Sequence, residues 1–343
     1  MSKSATRFFY INDTGKLSVV SSVKDAMTAA LDTGYFWLDY NNPSEEELAQ
    51  LILLLNIHPL SIEDCLNEDQ LPKLDLFTNY SFMIFNVFEP TAEEILTHEL
   101  DLLIGKNFLI SVTKHDSTRG YLLDRIDRLI ERDQDTLKLG PAYLLHMLID
   151  TVVDDKFEAI ETIEDTLDTY ESIILDQSEN FNPGKLMDAR RDLQAIRKSL
   201  FHERELVSKI IRKDSLFFPE RSIVYFRDIY DHLSKYYEMS DSARDLVTSL
   251  MEIHLSMINN RMTRISNRTN AIMRRLTVIT TIFMPLSLLS GIGGMSEFTM
   301  LTGGEKNAKI AYLVLFVVMG VIAVLNWYFL RRMEADLADE DED

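Results

Sequence analysis

From Leu276 to Met295 the chain carries no charged side chain, and a second uncharged run, Ile310 to Leu330, follows after a short link. About 20 apolar residues suffice for a helix to cross the hydrocarbon core of a bilayer, so both runs read as membrane spans. The first is not uniformly apolar. Asn270, Met273, Thr277, Thr280, Met284, Ser287 and Gly291 recur at three- and four-residue steps and fall along one helical stripe that is more polar than the rest. Hydroxyl and small residues on a span commonly cement helix contacts. Here the stripe leads into the Gly-rich exit Gly291-Ile-Gly293-Gly294-Met295-Ser296, where backbone can approach an ion or another subunit closely, and this favours a pore. Trp327 and Tyr328 are placed for an interfacial belt on the second span. Arg274 and Arg275 before the first span and Arg331 and Arg332 after the second predict that both termini are cytoplasmic and the link external.

With two spans near the C-terminus of a 343-residue chain, roughly 270 residues lie ahead of the membrane, enough for one or two soluble domains. MSKSATRFFY carries charge early without a following apolar run and does not read as a signal peptide. Cys65 is the one cysteine, which excludes an intrachain disulfide or a zinc-thiolate site within one chain and fits a reducing compartment. A net charge of −20 argues against a nucleic-acid partner and makes cations the natural one, although an acidic surface also serves solubility alone.

Short β-rich pieces such as Arg7–Ile11 and Tyr35–Leu38 alternate with turn residues. Ser44 with Glu47 has the form of a capping box opening a helix through about Leu55. Leu74–Phe77, Tyr80–Val87, Leu96–Ile104 and Asn107–Val112 read as strands, and Asp116-Ser117 as the start of a helix. Residues 1–140 thus form an α/β domain. After Gly140-Pro141 the character changes, because no Gly or Pro occurs before Pro183 and the apolar positions take helical spacing. This long acidic helix breaks at Asn182-Pro183-Gly184, and the basic helix from Lys185 to about Lys213 returns beside it as an antiparallel hairpin over 141–217, charge facing charge. From Arg221 to Gly291 only Pro285 interrupts the helical pattern, which a membrane tolerates. One helix of about 100 Å is predicted, a stalk over 218–275 passing into the span 276–295. A helix that long needs company, so parallel copies from other subunits should surround it. An external loop over 296–309, a second span over 310–330 and an acidic tail over 331–343 complete an α+β chain; the run Ala338–Asp343 reads as disordered.

Several stretches resemble the CorA-type divalent-cation transporters: Ile57-His58-Pro59-Leu60 through Glu63-Asp64 to Asn67, Asn79-Tyr80, Tyr225-Phe226-Arg227-Asp228 through Asp231-His232, Asn267 through Asn270, and Leu276-Thr277 through Met284-Pro285-Leu286. The resemblance covers nearly the whole chain. It implies a funnel-shaped homopentamer in the cell (inner or plasma) membrane, the first span of each subunit lining the pore and the second outside it. It further implies conduction of Mg2+, with Co2+ or Ni2+ also carried, while cytoplasmic Mg2+ holds the channel closed. No catalytic cofactor is implied, and no HExxH, phosphate loop or nucleophile motif points to an enzyme.

On that resemblance Asn270, Met273, Leu276, Thr280 and Met284 form a partly hydrophobic gate, and Ser287 sits where the family has a threonine ring. The family's Gly-Met-Asn mouth is here Gly294-Met295-Ser296. A ring of Ser hydroxyls accepts from a hydrated Mg2+ less well than a ring of amides, and adjacent Glu297 offers carboxylates instead. Glu63 and Asp64 of one chain would face Asp228 of its neighbour as a regulatory metal site, bridged by the cation and repelling without it. Two other readings remain: a zinc or broad transition-metal transporter of ZntB type, and a non-conducting, cation-responsive membrane scaffold.

Overall fold

The computed structural model describes residues 6–67, 70–90, 95–114, 134–177, 181–212, 214, 216–301, 304 and 306–340. The chain divides into two units, Met1–Leu255 and Ser256–Asp343.

In the first unit the aromatic and β-branched residues between Arg7 and Thr113 build a seven-stranded sheet in the order β2-β1-β3-β7-β6-β5-β4. Its strands are β1 (Arg7–Ile11), β2 (Leu17–Val20), β3 (Tyr35–Asn41), β4 (Leu74–Leu76), β5 (Tyr80–Pro90), β6 (Ile95–Gly105) and β7 (Phe108–Thr113). Only β3 and β7 pair in parallel, Phe36 opposite Phe108. These two central strands are buried along their whole length, as a strand covered on both faces must be. On one face Phe36, Leu38, Leu103 and Ile110 pack with α1 (Val23–Ala29), α2 (Glu45–Leu55) and α3 (Pro59–Leu66). On the other, Trp37, Phe85, Leu102 and Leu109 pack with the long helices.

The Ser44 capping box is present: the Ser44 N–H donates to Glu47 Oε2 at 2.8 Å and the Glu47 N–H to Ser44 Oγ at 3.3 Å. Three elements between Arg7 and Thr113 were not anticipated. β2 is a short edge strand with half its residues exposed, and α1 is only two turns long. α3 opens on Pro59, whose missing N–H costs nothing at the first helical position. Tyr80 ties α3 to the sheet, its hydroxyl accepting from the His58 N–H at 3.0 Å and lying 2.7 Å from Ser61 Oγ. The helix read at Asp116-Ser117 lies outside the described residues.

The short helix α4 (Gln134–Leu137) precedes α5 (Pro141–Gln177) and α6 (Gly184–Ile211). Their buried ion pair reverses the polarity the composition suggests: the cation, Lys156, is on the acidic α5 and the anion, Glu203, on the basic α6, 3.1 Å apart and both wholly buried. The predominantly acidic and basic side chains of these helices stay at the surface, where pairing contributes about 0–1 kcal/mol. Around the buried pair the Asn86 N–H donates to Glu203 Oε1 at 3.0 Å, Ser199 Oγ donates to it at 3.2 Å, Lys156 donates to Asn86 O, and its ammonium stands 4.5 Å from the Phe88 ring centroid. Burial pulls the Lys156 ammonium down and pushes the Glu203 carboxyl up, and their mutual attraction opposes both shifts.

A 3-10 turn at Glu220–Ser222 opens α7 (Ile223–Gly293), a single helix with Pro285 inside it. α8 (Ser296–Leu301) follows within the stretch read as a loop, and α9 (Ala308–Glu340) closes the described chain. α9 continues well past Leu330 into residues read as a disordered tail, because Met333-Glu-Ala-Asp-Leu-Ala338 are mostly good helix formers; residues 341–343 are not described. Both α7 and α9 are long and apolar enough to cross a membrane.

Removing one member of the buried pair should cost far more than removing both. Lys156→Met is expected to destabilise the chain by about 3–5 kcal/mol, and adding Glu203→Leu to restore most of the loss. Thermal unfolding of the full chain in detergent reads this, and equal stability of the single and double variants would contradict it.

Candidate functional site

In the second unit the polar stripe and its opposite face are told apart by what covers them. Val278, Ile282, Pro285, Leu286 and Leu289 are partly covered and Gly293 is buried, whereas Met273, Thr277, Thr280, Met284, Ser287 and Gly291 are exposed. The cover is α9, whose partly buried positions Ala311, Leu315, Met319, Ile322, Asn326 and Leu330 also follow one helical face. At the C-terminal end of α7 a Cβ on Gly293 would lie 2.4 Å from Leu315 Cδ2, and the Tyr312 hydroxyl donates to Gly293 O at 3.0 Å. A side chain at this position would oblige the tip of Leu315 to move.

On the exposed stripe Thr277 Oγ1 donates to Met273 O and Thr280 Oγ1 to Leu276 O, each at 2.9 Å. With the protons turned into the helix, the hydroxyl lone pairs point outward as acceptors, the polarity a hydrated cation requires. Asn270 and Leu276 are exposed as well. At the end of the span Gly294 N–H closes on Ser290 O at 3.0 Å, and Ser296 begins α8 with its hydroxyl 3.3 Å from Glu297 Oε2. Gly294, Met295, Ser296 and Glu297 are all exposed.

In the first unit Glu63 and Asp64 lie on α3. Glu63 is exposed, but Asp64 is held inside the chain: Lys73 Nζ is 2.6 Å from Asp64 Oδ2, and Gln70 Nε2 donates to Asp64 Oδ1 at 3.0 Å. Burial pulls the Lys73 ammonium down, but the Asp64 hydrogen bond and charge outweigh it and leave its pKa raised. Asp228 is exposed on α7, one turn before His232.

Around His232 the structure assembles a group that sequence reading missed. Carboxylate oxygens of Asp150 and Asp154 on α5 and a ring nitrogen of His232 lie within 4.8 Å of one another. His232 Nδ1 is buried without a hydrogen-bond partner. The Tyr236 hydroxyl is pushed up by burial first and then by Asp154, Asp150 and Asp228, which puts Asp228 on the same acidic surface. Two carboxylates and an unsatisfied imidazole nitrogen fit a divalent cation: the oxygens suit Mg2+, and the imidazole adds affinity for Co2+ or Ni2+. Glu63 and Asp64 do not join this group within one chain. The available signal was the i, i+4 spacing of Asp150 with Asp154 and of Asp228 with His232; that the two pairs share a surface is a tertiary fact.

A helix long and apolar enough to cross a membrane, with one bare face that carries hydroxyls, and a separate unit bearing a carboxylate–imidazole cluster fit a cation-handling membrane protein. The model of the CorA-like Mg2+ transporter protein family matches residues 32–332. A putative metal ion transporter, YfjQ, of Bacillus subtilis is 32% identical over 294 residues, covering 86% of each chain. The cobalt/magnesium transport protein CorA of Thermotoga maritima is 32% identical over 300 residues, covering 86% of this chain and 82% of its own. The solved CorA magnesium transporter of Methanocaldococcus jannaschii superposes with a TM-score of 0.71 at 21% identity over 96% of this chain and 98% of its own. The ZntB cytoplasmic domain of Vibrio parahaemolyticus reaches 0.58 at 13% identity over 74% of this chain, a likeness of fold alone. The chain belongs to the CorA-like Mg2+ transporter family and is a divalent-cation transporter.

Replacing Asp150 and Asp154 together by Asn should raise the Co2+ concentration needed for thermal stabilisation by at least about tenfold. Melting curves of the full chain across a Co2+ series measure it, and an unmoved midpoint would remove the cluster from cation binding.

Proposed function

We propose that the chain forms a homopentamer whose five α7 helices turn the stripe Asn270, Met273, Leu276, Thr280, Met284, Ser287 and Gly291 toward a common axis, through which Mg2+ passes down the membrane potential. The observation that supports this reading is the division of α7 into a face covered by α9 and a bare face carrying outward acceptors. Relatives named cobalt/magnesium transport proteins extend it to Co2+ as a second cargo. In this reading 1–140, the hairpin 141–217 and the stalk 218–275 are cytoplasmic, 276–295 and 310–330 span the inner or plasma membrane, 296–309 is external, and both termini are inside.

At the external mouth Gly294-Met295-Ser296 replaces the family's Gly-Met-Asn. Ser hydroxyls and the carboxylate of Glu297 then collect the hydrated ion, with attraction doing more and geometric selection less. On the cytoplasmic side, Glu63 and Asp64 facing Asp228 of the neighbouring subunit, together with the Asp150–Asp154–His232 group, hold a regulatory divalent cation whose loss loosens the closed ring. Asp64 must share itself between Lys73 and the ion, so Glu63 and Asp228 are the stronger contributors. The same donors serve Mg2+ as regulator and cargo, and no further cofactor is needed.

Full chain reconstituted in vesicles should take up Mg2+ and Co2+ in preference to Zn2+. Glu297→Gln should lower uptake severalfold at low external cation and little at saturation. Zinc as the favoured ion would support the ZntB-type reading, and intact oligomers with no uptake at all would support a scaffold. In limited proteolysis of wild type, Mg2+ should protect, and Asp228→Ala should shift that protection to higher Mg2+; digestion indifferent to Mg2+ would reject the regulatory site.

A further inference from the structure

The band of α7 just before the span is unlike the rest of the molecule. Between Glu252 and Glu297 there is no acidic residue, yet Arg261, Arg264, Arg268, Arg274 and Arg275 all fall there, in a chain of net charge −20. Arg264, Arg268, Arg274 and Arg275 are exposed. Gly293 and Arg275 are a whole number of turns apart, about five at 3.6 residues each, so Arg275 points to the side on which α9 packs.

The contacts between the helices set their relative depth. Gly293 meets Leu315, and the partly covered faces continue to Val278 on α7 and Leu330 on α9, an equal number of residues from that contact on each helix. Three and four residues further α7 reaches Arg275 and Arg274, and two residues further α9 reaches Arg332, which is also exposed, so the three lie within about 3 Å of one another in depth at 1.5 Å per residue. Three guanidinium groups on two helices thus gather at one depth, where apolar surface ends, with no acidic residue adjoining them on α7.

We propose that Arg274, Arg275 and Arg332 form a binding site for the phosphodiester headgroup of an anionic phospholipid in the cytoplasmic leaflet. Guanidinium forks match phosphate oxygens in pairs, and juxtamembrane cations are drawn to an anionic leaflet. The site is narrow in depth. Headgroups occupy about 5–7 Å per leaflet, whereas Arg268 and Arg264 lie about 10 and 16 Å below Arg275 at 1.5 Å per residue. They carry the same charge on nearly the same face but stand beyond the headgroups. The proposal rests on α7 and α9 being spans with cytoplasmic ends, not on conduction.

The test compares the purified full chain in phosphatidylglycerol and in phosphatidylcholine, reading bound lipid by native mass spectrometry and melting temperature. Wild type should retain phosphatidylglycerol and melt higher with it. The variant R274Q/R275Q/R332Q should retain about tenfold less, and R264Q/R268Q should match wild type. The variant R274K/R275K/R332K keeps the charge that orients the spans, guards against a folding or insertion failure, and should retain an intermediate amount. Unchanged retention in the triple Gln variant, or an equal loss in R264Q/R268Q, would overturn the proposal, as would full stabilisation by glycerol phosphate in solution, the signature of a free-phosphate site. Loss of ion uptake with lipid retention intact would fault the transport reading and leave this one standing.

Discussion

Everything in the second unit depends on the packing of α9 against one side of α7. Gly293 lets the tip of Leu315 sit where a Cβ would displace it, Tyr312 caps the carbonyl there, and the partly covered positions run down both helices in step. An apolar helix has no hydrophobic reason to choose one side for its neighbour inside a bilayer, so small residues and a few hydrogen bonds decide. Once α9 is placed, the side of α7 left bare is the one with Thr277, Thr280 and Ser287. Acceptor-bearing side chains on a bare face within a membrane are stable only against water, ions or other copies of the chain.

The first unit is stabilised differently. A sheet buried on both faces supports the long helices on one side and α3 on the other, and the Lys156–Glu203 pair fixes α5, α6 and β5 through its bonds to Asn86 and Ser199. The acidic surface that results is a cost of electrostatic repulsion, concentrated where Asp150 and Asp154 meet His232, with Asp228 also felt at the neighbouring Tyr236. A divalent cation relieves that repulsion, and one helix, α7, bears both Asp228 and the polar stripe. The proposed regulatory site and the proposed ion route therefore share one element.

Much of this was legible in the sequence because the signals are local. Uncharged runs give the spans, the Ser44–Glu47 box gives α2, and an interval without Gly or Pro gives α5. The three- and four-residue recurrence from Asn270 to Gly291 gives the stripe. What was not legible depends on distant residues. The sign of the α5–α6 ion pair turns on which one lysine and one glutamate point inward, and bulk composition pointed the other way. Asp64 looked available until Lys73 and Gln70, on the following segment, were seen to hold it. His232 gains two carboxylate neighbours only once α5 packs against α7.

The central claim is that the bare face of α7 borders the route of the ions, and accessibility to a thiol reagent tests it most directly. Cys65, the one cysteine in the sequence, is buried, which keeps the background low. Single cysteines along α7 in reconstituted chain, treated with a membrane-impermeant cationic thiol reagent, should block Co2+ uptake at Thr277, Thr280, Met284, Ser287 and Gly291, and leave it unchanged at Val278, Ile282, Leu286 and Leu289. Block confined to the α9-facing positions, or spread evenly around the helix, would contradict the account.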